Sequence, residues 1–386
     1  MSIDVIDRTL TDSATMSPVI RTAGRRLEGE RIAALYGPKG DPQASGFAVL
    51  SRQIKAEGLL DRALGFYLRK AVLWTLALAA ALTASVLIGD SWWQIVPAVA
   101  FGVIFTQFAF MAHEAAHRQI FASGKANDWA ALFLGNLVVG MSYSWWQNKH
   151  TRHHGNPNVV GKDPDIAKDT ISFLEEDAAD SRGFVRFLTK HQGYLFFPLL
   201  LLEGLNLYKH AIMHLVTGQK AQHRALELTL IAVRLLGFGL LAFAIMSPPF
   251  AIVFLAVSTA VFGVYMGASF APNHKGMPIL PKSARVDFLE RQVLTSRNIT
   301  GGWFVDAFMG GLNYQIEHHL FPSMPRPALA RTQEIVRAYC QENGVPYTET
   351  TILKSYGIVI RYLNEVGLQA RDPFDCPVVA TLRPRD

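Results

Sequence analysis

Cysteine is nearly absent from this 386-residue sequence: only Cys340 and Cys376 occur. Neither a disulfide framework nor a thiolate metal site can be built from two such distant thiols. Charge is sparse as well. Only 18% of the residues are Asp, Glu, Lys or Arg while half are apolar, a balance that points away from an ordinary soluble domain and towards a membrane protein. The first 65 residues contain no apolar core of the signal-peptide type, so cleavage and export are not expected. The long apolar runs, finally, contain no histidine, although the chain has twelve.

Those apolar runs are 71–88, 93–112, 226–246 and 250–270, each about the length that crosses a hydrocarbon core of roughly 30 Å as a helix. The third contains Glu227 and Arg234. Glu227 is expected at the interface, and Arg234 is expected to snorkel back to the headgroups. The two short turns, 89–92 and 247–249, carry no Lys or Arg, whereas Arg62, Arg69 and Lys70 precede the first run. The positive-inside rule therefore places both termini and the long connector in the cytosol, giving two membrane hairpins. The net charge of +6 suits a face that approaches anionic lipid, a phosphate-bearing substrate or an acidic redox partner, although positive-inside bias accounts for much of it. No nucleic-acid partner is expected.

Residues 1–45 read as a flexible polar arm, 46–360 as one domain and 361–386 as a C-terminal tail. Gly46 to Lys70 reads as an amphipathic helix leading into the first span. Tyr194–Leu207 is apolar but short and contains Pro198 and Glu203, the pattern of an interfacial helix.

The histidines carry the chemistry. Seven fall in three short stretches: His113-Glu-Ala-Ala-His117, His150-Thr-Arg-His153-His154 and Gln315-Ile-Glu-His318-His319. Offsets of three and four put each group on one helix face. Imidazole is the commonest side-chain ligand for iron, copper and zinc, so three such faces directed at one another would build a polyhistidine centre. The second span ends at Ala112, which delivers His113 and then His117 to the cytosolic boundary. The fourth ends near Phe270 and delivers His274 to the same plane. Eight imidazoles exceed what one ion accepts, so two ions fit better, and nitrogen ligation disfavours magnesium and calcium. Zinc and iron both remain compatible with these ligands.

The boxes HEAAH, HTRHH and QIEHH, set between two hydrophobic hairpins, resemble those of the membrane fatty acid desaturases. The resemblance runs from about Leu59 to Tyr347 and includes Ser144-Trp-Trp-Gln-Asn-Lys-His150, Gly155-Asn-Pro-Asn158 and Gly310-Gly-Leu-Asn-Tyr-Gln315. It implies an all-α membrane protein, a four-helix stem whose cytosolic helical cap holds a di-iron site. Iron ligands carried over by position are His113, His117, His150, His153, His154, His274, His318 and His319. It also implies O2-dependent insertion of a double bond into an acyl chain carried by CoA or lipid. Gln315, where many members have His, is similar to the front-end and related branch. No HPGG haem motif of a fused cytochrome b5 is found, so a separate ferredoxin or flavoprotein reductase is expected to supply electrons. The expected setting is a bacterial cell membrane.

Glu114 and Glu317, inside boxes, have three readings: acceptors for ring N–H groups, direct ligands, or exposed carboxylates. Gln315 is a weaker ligand than imidazole and acts through water or by orienting a neighbour. Tyr143, Trp145 and Trp146 either line an acyl tunnel or anchor the protein at the interface. Asp163 and Asp165 support a ring or simply cap a turn. His210 and His214 share the first box's spacing but match no ligand of the family, and His191 and His223 read as surface residues. Two rivals remain: a hydroxylase on the same centre, and a His-rich metal transporter, which the histidine-free spans argue against.

Overall fold

A computed structural model describes residues 28–37, 46–218 and 220–370. The described chain is predominantly helical, and four helices are long and apolar enough to cross a bilayer: Leu64–Ile88, Trp92–Ala116, Arg224–Ile245 and Pro248–His274, with mean hydropathy 2.0 to 2.3. They are called spans 1 to 4 here. Each begins or ends a few residues beyond the apolar run that defined it, because a helix continues for as long as its neighbours supply backbone and side-chain partners.

Burial divides the four unequally. In span 2, 67% of the apolar window is inside the protein and in span 4, 39%, against 11% and 17% for spans 1 and 3. Spans 2 and 4 are thus the inner pair, packed along each other. Their closest approach is at Gly102, where a Cβ would lie 2.7 Å from the Val261 side chain, a spacing only glycine allows. Phe101, Phe105, Phe238 and Phe254 fill the space beneath span 3 with ring centroids 5.2–5.6 Å apart. At the short turn between spans 1 and 2, Gln94 Nε2 donates to the carbonyls of Ser85 at 2.7 Å and Gly89 at 2.8 Å. That side chain satisfies carbonyls a helix end leaves open.

Both charges of span 3 are buried, and Arg234 departs from expectation. Arg234 does not snorkel: it is buried, its Nε donates to the Val138 carbonyl at 2.7 Å, and its guanidinium lies 3.9 Å from the Phe105 ring centroid. The carbonyl belongs to a π-helical stretch, Phe133–Val139, so the cation occupies a helix C-terminus instead of water. Glu227, in the first turn of span 3, is fully buried. It accepts from Ser142 Oγ at 2.7 Å, from Ser144 N at 3.2 Å and from the Ser144 hydroxyl. Three donors substitute for lost water.

The remaining helices do not all gather at one end of the spans: Glu203–Val216 packs along span 4, where a Cβ on Gly204 would lie 2.5 Å from the Thr259 carbonyl. Gly46 to Lys70 is not one helix: Gly46–Ala56 ends in a turn before span 1 begins at Leu64. Of the expected flexible arm, 28–35 is helical and Ile32 packs with Val159, Leu280, Val286 and Leu294. The rest of that arm lies outside the described residues. The expected tail also starts later. Ile352–Leu368 is one helix whose Leu363 and Val366 join Phe196 and Leu200 in a buried cluster, and 371–386 are outside the described residues. Tyr194–Leu207 divides between Gln192–Leu200 and Glu203–Val216. The all-α expectation needs one amendment, a parallel pair of three-residue strands, Asn298–Thr300 with Glu349–Thr351.

Replacing Glu227 by Ala leaves the Ser142 and Ser144 donors buried without an acceptor. We expect a loss of about 2 kcal/mol, read as a lower denaturation midpoint in detergent.

Candidate metal centre

The three boxes reach one place by three different routes. His113 is in the last turn of span 2 and His117 is the next residue after its end. His274 is the final residue of span 4, so it is presented by the helix itself and does not emerge beyond it. The second box lies on the helix Tyr143–Gly155, capped by Ser142, whose Oγ accepts from Trp145 N at 3.1 Å. Because Glu227 grips that same serine, span 3 sets where the second box begins. The third box is the six-residue helix Gln315–Leu320, every residue of which is buried.

Their imidazoles form two adjoining groups. His113, His117, His150 and His318 make one, and His153, His274 and His319 the other, with ligand atoms within 4.8 Å of one another inside each group. His150 Nε2 is 2.8 Å from His117 Nε2 and 3.1 Å from His113 Nε2. His153 Nε2 is 3.3 Å from His274 Nε2. His154 stands between the groups: its Nε2 is 2.9 Å from His150 Nε2, and its ring stacks on His319 with centroids 4.1 Å apart. All eight expected histidines are therefore in one array.

Contacts behind the rings aim them. His153 Nδ1 is 3.0 Å from both oxygens of Asp163, which also accepts from Asn158 N and from Asp165 N at 2.8 Å. Both readings of Asp163 thus hold at once, as turn cap and as ring partner. His274 Nδ1 donates to the Thr295 carbonyl at 3.0 Å, and His319 Nδ1 to Gln292 Oε1 at 2.9 Å. Gln292 Nε2 in turn donates to the His154 carbonyl at 3.0 Å. Arg297 donates to the carbonyls of Pro272 and Lys275 on either side of His274. Each Nδ1 bond fixes the tautomer and turns the Nε2 lone pair inward.

Glu114 and Glu317 fit none of their three readings. Glu114 is buried against the guanidinium of Arg326, tying the first box to the segment after the third. Glu317 accepts from Asn298 Nδ2 and from the Tyr347 hydroxyl, both at 2.7 Å. Gln315 does address a ring: its Oε1 accepts from Asn273 Nδ2 at 2.9 Å, leaving its Nε2 2.9 Å from His274 Nε2. Gln292, Thr295, Arg297 and Arg326 were not singled out from the sequence. They stand outside the boxes, and no spacing rule reaches them.

The electrostatics favour neutral rings. Burial, with the neighbouring rings, holds His150, His154, His318 and His319 well below the ordinary imidazole value, and burial alone pushes His117 down to about 3. His153 departs from this: burial works to lower it, but the Asp163 and Asp165 carboxylates outweigh that and raise it. Burial lifts Glu317 to about 7, against the two hydrogen bonds it accepts. Among the described residues, the Nε2 atoms of His318 and His319 and Nδ1 of His154 are buried with no hydrogen-bond partner. Unpartnered buried lone pairs are costly unless a cation is shared among them. This donor set suits a transition-metal ion and would serve magnesium or calcium poorly.

A family description, fatty acid desaturase, matches residues 90–351, more than half of the chain. The chain belongs to the fatty acid desaturase family. Among curated desaturases, a Delta(5) fatty acid desaturase of Caenorhabditis elegans is 31% identical over 336 residues, covering 83% of this chain and 73% of the relative. A Delta(6)-fatty-acid desaturase of the same organism is 27% identical over 334 residues, 83% of this chain and 74% of the relative. A Delta(8)-fatty-acid desaturase of Helianthus annuus is 28% identical over 297 residues, 74% of this chain and 65% of the relative. The chain therefore spans less than two thirds of that sunflower protein's length.

Beside the histidines this family member has a narrow cavity of about 40 Å³, lined by Ala109, Ala112, His113, Gly135, Trp146 and Phe270 among others. Trp146 stacks on His150 with centroids 4.2 Å apart, so the cavity ends at the four-ring group. Tyr143 also lines it, as the tunnel reading requires. Trp145 is not among its lining residues; it lies parallel to His210, centroids 6.2 Å apart. His210 and His214 join neither ring group, and neither do His191 and His223.

Two outcomes follow. Asp163→Asn removes the carboxylate behind His153 and should weaken metal affinity about 10- to 100-fold, measured by metal titration. The metal-free protein should also lose stability as pH falls from 6.5 towards 3. Rings held neutral in the fold take up protons on unfolding in that window, so the unfolded state binds more and is favoured. His153 and Glu317, both raised in the fold, oppose this. Denaturation midpoints between pH 7.5 and 5 decide it.

Proposed function

We propose that this member of the fatty acid desaturase family is a membrane acyl desaturase whose eight histidines hold two iron ions. The reading is carried by one observation: an apolar cavity that ends on the His113 and Trp146 side of a buried array of neutral imidazoles. His113, His117, His150 and His318 would hold one ion and His153, His274 and His319 the other, with His154 beside both. When bound, such an iron pair supplies the oxidation: two hydrogens leave adjacent methylenes, and O2 with two electrons and two protons from outside becomes two waters.

What the protein itself contributes is position and dryness. Ala109 and Ala112 on span 2, Gly135 on the π-helical stretch, and Met266 with Phe270 on span 4 line a space only a slender chain enters. Held there, an acyl chain presents one stretch of methylenes to the rings, which converts a random encounter into a fixed approach. Exclusion of bulk water by the same walls protects the reaction from side chemistry. The relatives are named for the Delta(5), Delta(6) and Delta(8) positions, which supports a new double bond towards the carboxyl end of a CoA- or lipid-linked chain.

The topology we favour is two hairpins with the cap, the centre and both termini in the cytosol. Its support is the lack of basic residues in the two short turns and the gathering of all eight histidines at one end of spans 2 and 4. That gathering also argues against the transporter, which needs ligands along a path through the membrane. A separate ferredoxin or reductase as electron donor is part of the same proposal, because the reaction needs two electrons that the side chains of the site do not supply. The relatives described above come from a plant and a nematode, and nothing observed supports the bacterial membrane expected from the sequence.

The test is expression with candidate reductases, labelled acyl substrates, and location of new double bonds by mass spectrometry. His153→Ala should lower product below detection and reduce iron below two per chain while the protein stays in the membrane. Full activity in that variant, or stoichiometric zinc in place of iron, removes the proposal.

A further inference from the structure

Exposed apolar side chains also occur outside the four spans, and one group of them follows span 4. The short helix Gly302–Phe308 carries Trp303 at 81% and Phe304 at 62% exposure, and Leu353, at 79%, begins the neighbouring helix. Large side chains left this open mark a surface that meets something apolar.

The depth of that helix says what it meets. Phe308 stacks on Tyr265 of span 4, with centroids 4.7 Å apart and planes at 15°. The Ala307 carbonyl accepts from Gln107 Nε2 of span 2 at 3.2 Å, and the same amide donates to the Tyr265 hydroxyl at 2.8 Å. Trp92 and Trp93 are exposed at the far end of span 2, as aromatic residues are at a membrane boundary. Twenty residues, about 30 Å of helix, counted from Trp93 reach Ala112, and counted from Phe250 on span 4 reach Ser269. Gln107 and Tyr265 lie below those points by about 6–8 Å at 1.5 Å per residue. The helix 302–308 is therefore docked beneath the inner boundary, against the sides of spans 2 and 4.

We infer that residues 301–309 form a re-entrant element of the cap, with Trp303 and Phe304 among the acyl chains of the cytosolic leaflet. Backbone at that depth is tolerated only where protein satisfies its polar groups. Here the Gln107 amide meets the Ala307 carbonyl, and the Met309 amide bonds back to the Val305 carbonyl at 2.8 Å. The one charge of the helix turns away from lipid: Asp306 accepts from Asn313 Nδ2 at 2.7 Å. Gly310 makes the tight return. Its φ is +62°, and a Cβ there would strike the Phe110 ring, so the chain passes close against span 2 on its way to Gln315 and the third box. The inference goes beyond the desaturase reading and does not depend on the bound metal.

The experiment uses the full chain in phospholipid vesicles. Trp303→Cys and Phe304→Cys, each in a Cys376→Ser background with Cys340 buried, are labelled with a nitroxide and compared with Gln341→Cys on the exposed face of the cap. At 303 and 304 the label should collide with dissolved oxygen severalfold more often than with a water-soluble nickel chelate, and at 341 the ratio should reverse. Frequent nickel collisions at 303 and 304 place the helix in water and overturn the inference. Low collision rates with both probes place it against protein, such as a second copy, and overturn it equally. In the unlabelled chain, Trp303→Phe should remove emission that brominated phospholipid quenches; loss of only unquenched emission counts against lipid contact.

Discussion

Eight imidazoles in one dry space constrain everything else in this protein. A buried ring that keeps its lone pair free needs its other nitrogen satisfied, and for His153, His274 and His319 the structure does this with Asp163, the Thr295 carbonyl and Gln292. Those partners come from loops and short helices far apart in the chain. They hold the rings only if the cap is rigid, and the cap is rigid only if its helices are seated on the ends of the spans.

Seating is where the four spans differ. Spans 2 and 4 carry imidazoles of the array in or just after their last turns, and they are the two with most surface inside the protein. Span 1 faces mainly outward. Span 3 carries no ligand, yet its Glu227 and Arg234 hold the start of the second-box helix and the end of the π-helical stretch before it. Between those two polar anchors runs the wall of the cavity. Charges that would burden an isolated membrane helix here join the wall of the proposed acyl site to the bundle.

The same economy shows in the connection between boxes one and three. Glu114, one residue after His113, pairs with Arg326, seven residues after His319. Removing either partner would leave a buried charge uncompensated, which is usually far more disruptive than losing an exposed pair. Tyr67 of span 1 also reaches this point, accepting from Arg326 N at 3.1 Å and donating to Gln119. The first box is thereby fixed to the third through contacts that touch no metal.

Four spans, three boxes and the eighth histidine were legible in the sequence, because hydrophobic length and helical spacing are local properties that survive any tertiary arrangement. Their meeting on one side followed from counting spans. What could not be read were the roles of the charged and amide side chains. Arg234 looked like a snorkelling cation and Glu114 like a ring acceptor, since a sequence shows the residue and not the carbonyl or guanidinium that folding brings to it. Gln292, Thr295 and Arg297 are single residues with no periodicity, so nothing local distinguishes them. The descent of Trp303 and Phe304 beside Gln107 and Tyr265 belongs to the same kind. Spacing along a helix is decided within a few residues, whereas the partner of a buried polar atom is decided by segments beyond the same helix, from ten to more than two hundred positions away.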